Sequence, residues 1–166
     1  MLTLFLIRHA KSSWKDDSLS DKDRPLNKRG KNDALLIGKE LKKRNESAVL
    51  MISSPAKRAF KTAEKIAEET GYKTGKIETS EKLYMAGYND FVDVIRGIHI
   101  DNKKVFIFSH NNGITDFANE ISGSDIENIP TCGAVKINFD IKRWKDIKDS
   151  HGKLEYFIYP KMFKSP

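Results

Sequence analysis

Cysteine occurs once in this chain, at Cys132. That excludes an internal disulfide framework and fits a reducing compartment, so a cytoplasmic location is expected. No apolar run approaches the ~20 residues of a membrane helix. The apolar stretch LTLFLI at the start is too short for a signal peptide and lacks a basic flank and a small-residue cleavage site. No internal repeat, low-complexity tract or Pro/Ser-rich linker divides the 166 residues, so a single domain spanning 1–166 is expected. No glycine-rich phosphate loop with its lysine is present, and no HExxH or Cys/His cluster calls for a metal. Neither a metal nor an organic cofactor is therefore expected.

Basic residues are in excess, with 30 Lys and Arg against 23 Asp and Glu, a net charge of +7. Such a balance admits nucleic acid, an anionic membrane surface or a phosphorylated substrate. The lysines are spread along the chain, and no helix-turn-helix, zinc finger or RNA-binding aromatic motif accompanies them. Nucleic acid and membrane are therefore not expected as partners. With 39% hydrophobic and 32% charged residues, the composition is that of a globular domain with a core of its own.

Short apolar runs alternate with amphipathic stretches. Residues 2–7, 48–53 and 104–109 read as buried strands, being apolar nearly throughout. Residues 31–44 predict a helix, with Ala34, Ile37, Gly38 and Leu41 on one face and lysines opposite. Residues 54–71 give the clearest helix, with Ser54 as N-cap, Pro55 at the first helical position and Gly71 at the C-terminal cap. Residues 76–79 predict a short strand, and 89–98 and 113–122 two further helices. Residues 134–140 and 153–159 alternate as strands with one less buried face, and no helix is expected between them. The expected fold is a single α/β domain: a mixed, mainly parallel sheet, flanked by helices on both faces and carrying an antiparallel edge.

The three most apolar strands end in the same chemistry. The first runs into Arg8-His9, the second into SSPAKR with Arg58 in the first turn of the next helix, and the third into Ser109-His110. In an open α/β sheet, ligands bind beyond the carboxyl ends of the strands. If the three strands are parallel neighbours, two guanidinium groups, two imidazoles and a helix N-terminus converge on one point. Such a cluster repels itself without an anion, and guanidinium groups match phosphate oxygens bidentately. A neutral imidazole held in line with phosphorus can attack it and become phosphohistidine. Each piece alone has a plain structural reading; their repetition at three strand ends carries the argument.

These residues resemble the histidine phosphatase superfamily, which includes the phosphoglycerate mutases. Its Arg-His-Gly stands here as Arg8-His9-Ala10, its Ser-Pro-x-x-Arg as Ser54-Pro55-Ala56-Lys57-Arg58, and its second histidine as Ser109-His110. The resemblance implies a phosphoglycerate mutase-like fold, His9 as nucleophile, and Arg8, Arg58 and His110 as the rest of the phosphate pocket, with Asn111 a further phosphate-binding candidate. RHAKSSW, DRPLNKRG, LYMA, SHNNGI and IPTCGAVKINFD are similar to the short SixA-type phosphohistidine phosphatases, over essentially the whole chain.

The departures bear on the substrate. Larger members place an acidic proton donor shortly after the equivalent of Leu83, where Tyr84, Met85 and Ala86 stand here. The long insertions that form lids in the mutases are also missing. An alkoxide leaving group needs a proton, and a placed acid typically contributes ~10²–10⁴-fold. Imidazole leaves more easily. The expected substrate is thus a phosphohistidine protein of the phosphotransfer type. The alternatives are a small phosphoester, with Asp16, Asp17 or Asp21 swinging in as donor, and a phosphate-binding module without turnover. Arg24 either faces the site or only pairs with Asp21 or Asp23. Trp14 and Trp144 read as packing residues, and His99 and His151 as surface residues.

Overall fold

In the computed structural model, which describes residues 1–149 and 151–166, one six-stranded sheet carries the fold. Its strands are β1 (Leu2–Arg8), β2 (Leu50–Ser53), β3 (Glu78–Thr79), β4 (Lys104–Ser109), β5 (Ala134–Phe139) and β6 (Lys153–Ile158). Their order across the sheet is β3-β2-β4-β1-β5-β6. The four strands from β3 to β1 run parallel, and β5 runs antiparallel to both its neighbours, β1 and β6. The mixed sheet with an antiparallel side is as the sequence pattern predicts.

Four helices cover it: α1 (Lys28–Lys43), α2 (Lys57–Thr70), α3 (Tyr88–Arg96) and α4 (Gly113–Ser122). Strand alternation sorts the core into two layers. Phe5 and Ile7 of β1 pack with Ile37 and Leu41 of α1 and Ala63 and Ile66 of α2. Leu4 and Leu6 face the other way, toward Phe91 and Ile95 of α3 and Ile114 and Phe117 of α4. Strands buried on both faces show no polar alternation, which is why β1, β2 and β4 read as continuous apolar runs. Among the described residues, no helix is long and apolar enough to cross a membrane.

Three local expectations change, the first between β5 and β6, where a short 3-10 helix, Trp144–Asp149, stands in the connection expected to hold no helix. Helix α2 begins at Lys57 rather than at Pro55, and Ala56, not Ser54, occupies the N-cap, with no side-chain cap bond. The Ser54 hydroxyl is used elsewhere, as described below. Trp14 is not a packing residue: it is 73% exposed, whereas Trp144 is buried with its indole N–H on the Asn102 carbonyl. Gly71 closes α2 at φ 82, the left-handed position that glycine adopts without penalty. His99 and His151 lie exposed on the surface.

Candidate active site

Strands β2, β4 and β1 are adjacent, so the convergence inferred from the sequence is geometrically met. Arg8 is level with Ser109, and Ser53 with Phe108. The chain therefore delivers Arg8-His9, Ser54 and His110 at the same height of the sheet. Arg58 reaches the same point from the first turn of α2.

The backbone around His9 is fixed from several sides. Its N–H donates to the Ser109 carbonyl at 3.1 Å, and its carbonyl accepts from the Cys132 N–H at 3.0 Å. Ala10 N–H donates to Thr62 Oγ1 at 2.9 Å, and that hydroxyl donates to the Arg58 carbonyl at 2.7 Å. The strand carrying the imidazole is thereby tied to the helix carrying the guanidinium. His9 Nδ1 lies 2.7 Å from the Ala10 carbonyl oxygen, which only accepts. Nδ1 therefore holds the ring proton, and Nε2 keeps its lone pair for a substrate.

His110 stands beside it, the two ring centroids 5.2 Å apart. Its Nε2 is 2.7 Å from Ser54 Oγ, which also accepts the Ala56 N–H at 3.2 Å. This is where the expected helix-capping serine went: it anchors the second imidazole. Burial lowers the His9 pKa to about 4, and the nearby Arg58, Arg8 and Arg24 add to the effect against the Ala10 hydrogen bond. Burial likewise lowers His110 to about 3, with His9 and Arg58 contributing. Both rings are neutral at pH 7, the state a nucleophile requires.

Among the described residues, three buried side-chain nitrogens have no hydrogen-bond partner: Arg8 Nε, Arg58 Nε and His110 Nδ1. Buried polar groups are nearly always paired, so three orphans in one site mark the place of an anionic ligand. Each guanidinium is also anchored through another nitrogen. Arg8 Nη1 donates to the Ile129 carbonyl at 2.8 Å. Arg58 donates through Nη1 to the Asp21 carbonyl at 2.7 Å and through Nη2 to the Asp21 carboxylate at 3.0 Å.

Asp21 and Tyr84 are the site residues whose placement the sequence left open. The Asp21 carboxylate accepts from the Tyr84 hydroxyl, from Arg58 and, at 3.2 Å, from Arg24 Nε. The Tyr84 hydrogen bond, with the Arg58 and Arg24 contacts, holds its pKa at about 2. Arg24 is buried, and besides Asp21 it grips Ser12 Oγ at 2.9 Å. It both faces the site and pairs with Asp21. A 3-10 turn at Asp21–Asp23 presents this carboxylate; three residues offer no periodicity by which a sequence reader could find it.

The resulting cavity encloses about 470 Å³. Its walls include His9, His110, Arg8, Arg58 and Asn111, the five predicted site residues, together with Asp21, Tyr84, Trp14 and Met85. Asn111 lines the rim, but its amide is engaged with Asn128 and Thr115. Asp16 and Asp17 lie exposed and are not among the described lining residues, which leaves Asp21 as the one carboxylate there.

The two histidines make the free protein acid-sensitive. Their folded pKa values lie below the unfolded value of 6.5. Above pH 6.5 both states are neutral and stability is unaffected. Below it the unfolded chain takes up protons that the folded chain refuses, until about pH 4 for His9 and 3 for His110. Each ring is expected to lower stability by up to about 1.4 kcal/mol per pH unit in that window. Denaturant midpoints measured from pH 7 to 4 should fall accordingly, and the slope should flatten in a His9→Gln/His110→Gln double variant. Inorganic phosphate, which favours the protonated rings, should restore part of the loss.

The profile of the histidine phosphatase superfamily (branch 1) matches residues 4–84, which hold Arg8, His9 and Arg58. An uncharacterized chloroplastic protein of Arabidopsis thaliana is 29% identical over 95% of this chain and 77% of its own length. A 2,3-bisphosphoglycerate-dependent phosphoglycerate mutase of Bartonella tribocorum is 34% identical over 53% of this chain, which is 44% of the mutase. Among solved structures, the protein histidine phosphatase SixA in complex with tungstate shares the fold with a TM-score of 0.84, at 17% identity, over 98% of this chain and all of that one. With the sheet order, the paired imidazoles and the two strand-end arginines in place, the chain matches the histidine phosphatase superfamily over residues 4–84 and shares the fold of SixA, and its site is equipped for phosphatase chemistry.

Proposed function

We propose that this protein hydrolyses the phosphorus–nitrogen bond of phosphohistidine carried on another protein, through a phosphohistidine of its own at His9. His9 Nε2 attacks phosphorus, and the bond from phosphorus to the substrate imidazole breaks with its electron pair returning to the substrate nitrogen. The substrate ring, protonated at its other nitrogen, leaves neutral. His9 becomes a phosphorylated imidazolium whose Nδ1–H is held by the Ala10 carbonyl. Arg8, Arg58 and His110 stabilise the charge on the transferred phosphoryl oxygens. Water then attacks phosphorus, His9 leaves neutral with its Nδ1 proton retained, and inorganic phosphate departs.

The observation that carries this reading is the state of Asp21. It is the carboxylate that lines the cavity, and Tyr84, Arg58 and Arg24 hold it ionised, with a pKa of about 2. An ionised carboxylate cannot protonate an alkoxide leaving group. The Tyr84 hydroxyl, its own pKa raised by the same hydrogen bond, is a poor acid as well. A substrate whose leaving group brings its own proton suits this site. The enzyme's intermediate is the same type of bond, so the first transfer is close to thermoneutral.

The test compares initial rates on a phosphohistidine phosphotransfer protein and on a simple alkyl phosphate. The expected result is a preference for the P–N substrate of at least about 10²-fold, the lower range of what a missing general acid costs. Preference for the alkyl ester would overturn the reading in favour of a small-phosphoester phosphatase with a concealed acid. Turnover of neither would favour a phosphate-binding module.

A further inference from the structure

The mouth of the cavity carries an aromatic side chain that the core does not use. Trp14 is 73% exposed, yet it is not loose. The Arg24 guanidinium lies 3.5 Å from the centroid of its ring. Arg24 is itself 8% exposed and fixed by Ser12 at 2.9 Å and Asp21 at 3.2 Å. The loop is pinned on either side: Ser12 bridges to Leu26, and Ser13 N–H donates to the Pro25 carbonyl at 2.8 Å. One face of the indole rests on a buried, immobile cation, and the rest of the ring is open to solvent. Met85, 65% exposed, lines the same cavity, and its backbone is held in the left-handed region at φ 54.

An exposed indole in a fixed orientation costs hydration free energy and gives the fold little packing in return. It does suit a binding role, because little side-chain freedom remains to be lost on contact. From these positions we infer that Trp14, backed by Arg24, is the platform on which the leaving group of the substrate stacks, so that the site selects a phosphoryl group attached to a flat aromatic ring. This rests on the phosphohistidine reading and sharpens it. Phosphate oxygens occupy the orphan donors of Arg8, Arg58 and His110. The imidazole one bond from phosphorus lies against the indole, with Met85 contributing apolar contact. Trp14 is then a specificity-determining residue. It discriminates phosphohistidine from phosphoramidate, which has the same P–N bond but no ring.

The test is the ratio of kcat/KM for a phosphohistidine peptide to kcat/KM for phosphoramidate. In Trp14→Ala the ratio is expected to fall about tenfold, mainly through a higher KM for the peptide, a size typical of one aromatic contact. Trp14→Phe, which keeps a ring, should retain most of it. An exposed side chain leaves the fold intact in both variants. A second readout uses emission. Trp14 is exposed and Trp144 is buried, so contact at the platform should quench and blue-shift the exposed component when the peptide binds to His9→Ala. Inorganic phosphate alone should not do so. An unchanged ratio in Trp14→Ala, with phosphohistidine turnover by the unaltered protein intact, overturns the platform alone. Failure of the unaltered protein to hydrolyse the peptide while it hydrolyses alkyl phosphates would overturn the underlying reading and the platform with it.

Discussion

His9→Ala is expected to lower phosphatase turnover by at least about 10⁴-fold, with no covalent phosphoprotein formed from any donor. The expectation follows from the division of labour in the site. His9 Nδ1 is committed to the Ala10 carbonyl, so the ring offers one lone pair at Nε2. No second group can replace it. His110 is neutral and close, but its Nε2 is held by Ser54 at 2.7 Å. The variant should fold, because its removal relieves a buried imidazole whose protonated form the site already disfavours. It should also still bind phosphate, since the orphan nitrogens of Arg8, Arg58 and His110 remain. Steady-state rates beside phosphate titration separate these two outcomes. Retained turnover with normal binding would transfer the nucleophile's role to another residue.

Arg58→Ala is expected to lower kcat by roughly 10²–10³-fold, the usual cost of removing one preorganised donor from a transition-state oxyanion. Two further consequences mark it as electrostatic. Arg58 is among the charges that depress the His9 pKa, so the acid limb of the pH–rate profile should move to higher pH in the variant. Arg58 is also one of the groups that hold Asp21 ionised, so the Asp21 pKa should rise from about 2. A carboxyl freed in this way would narrow the preference for P–N substrates over alkyl esters. Arg58→Lys should recover only part of the rate, because a single ammonium nitrogen lacks the planar fork that spans the Asp21 carbonyl and carboxylate while a separate Nε faces the ligand. A pH–rate profile on both substrates, for all three proteins, checks each point.

What could be read from the sequence followed from strong local rules. β1, β2 and β4 are buried on both faces, so their apolar runs stand out, and the residues that follow them fall at the sheet's carboxyl edge. Arg8, His9, Arg58 and His110 were legible for that reason. Ser54 was misassigned because serine before proline ordinarily opens a helix; in the folded chain its hydroxyl is held by a histidine 56 residues away. That partner follows a different strand, β4, and no local pattern announces it. Asp21 was legible only as one of three loop carboxylates; its pairing with Tyr84 escaped for the same reason, the two being joined across 63 residues from two irregular segments. Trp14 was read as core because tryptophan usually is; only the position of Arg24 beneath it shows that it is held at the surface.

The most direct test of the central claim is rapid quenching of the protein during turnover of a phosphohistidine peptide, followed by peptide mapping under alkaline conditions that preserve phosphohistidine. The account predicts one phosphoryl group on the peptide containing His9, appearing and decaying at rates that match turnover. Full turnover with no label on His9, or label on His110 instead, would contradict it.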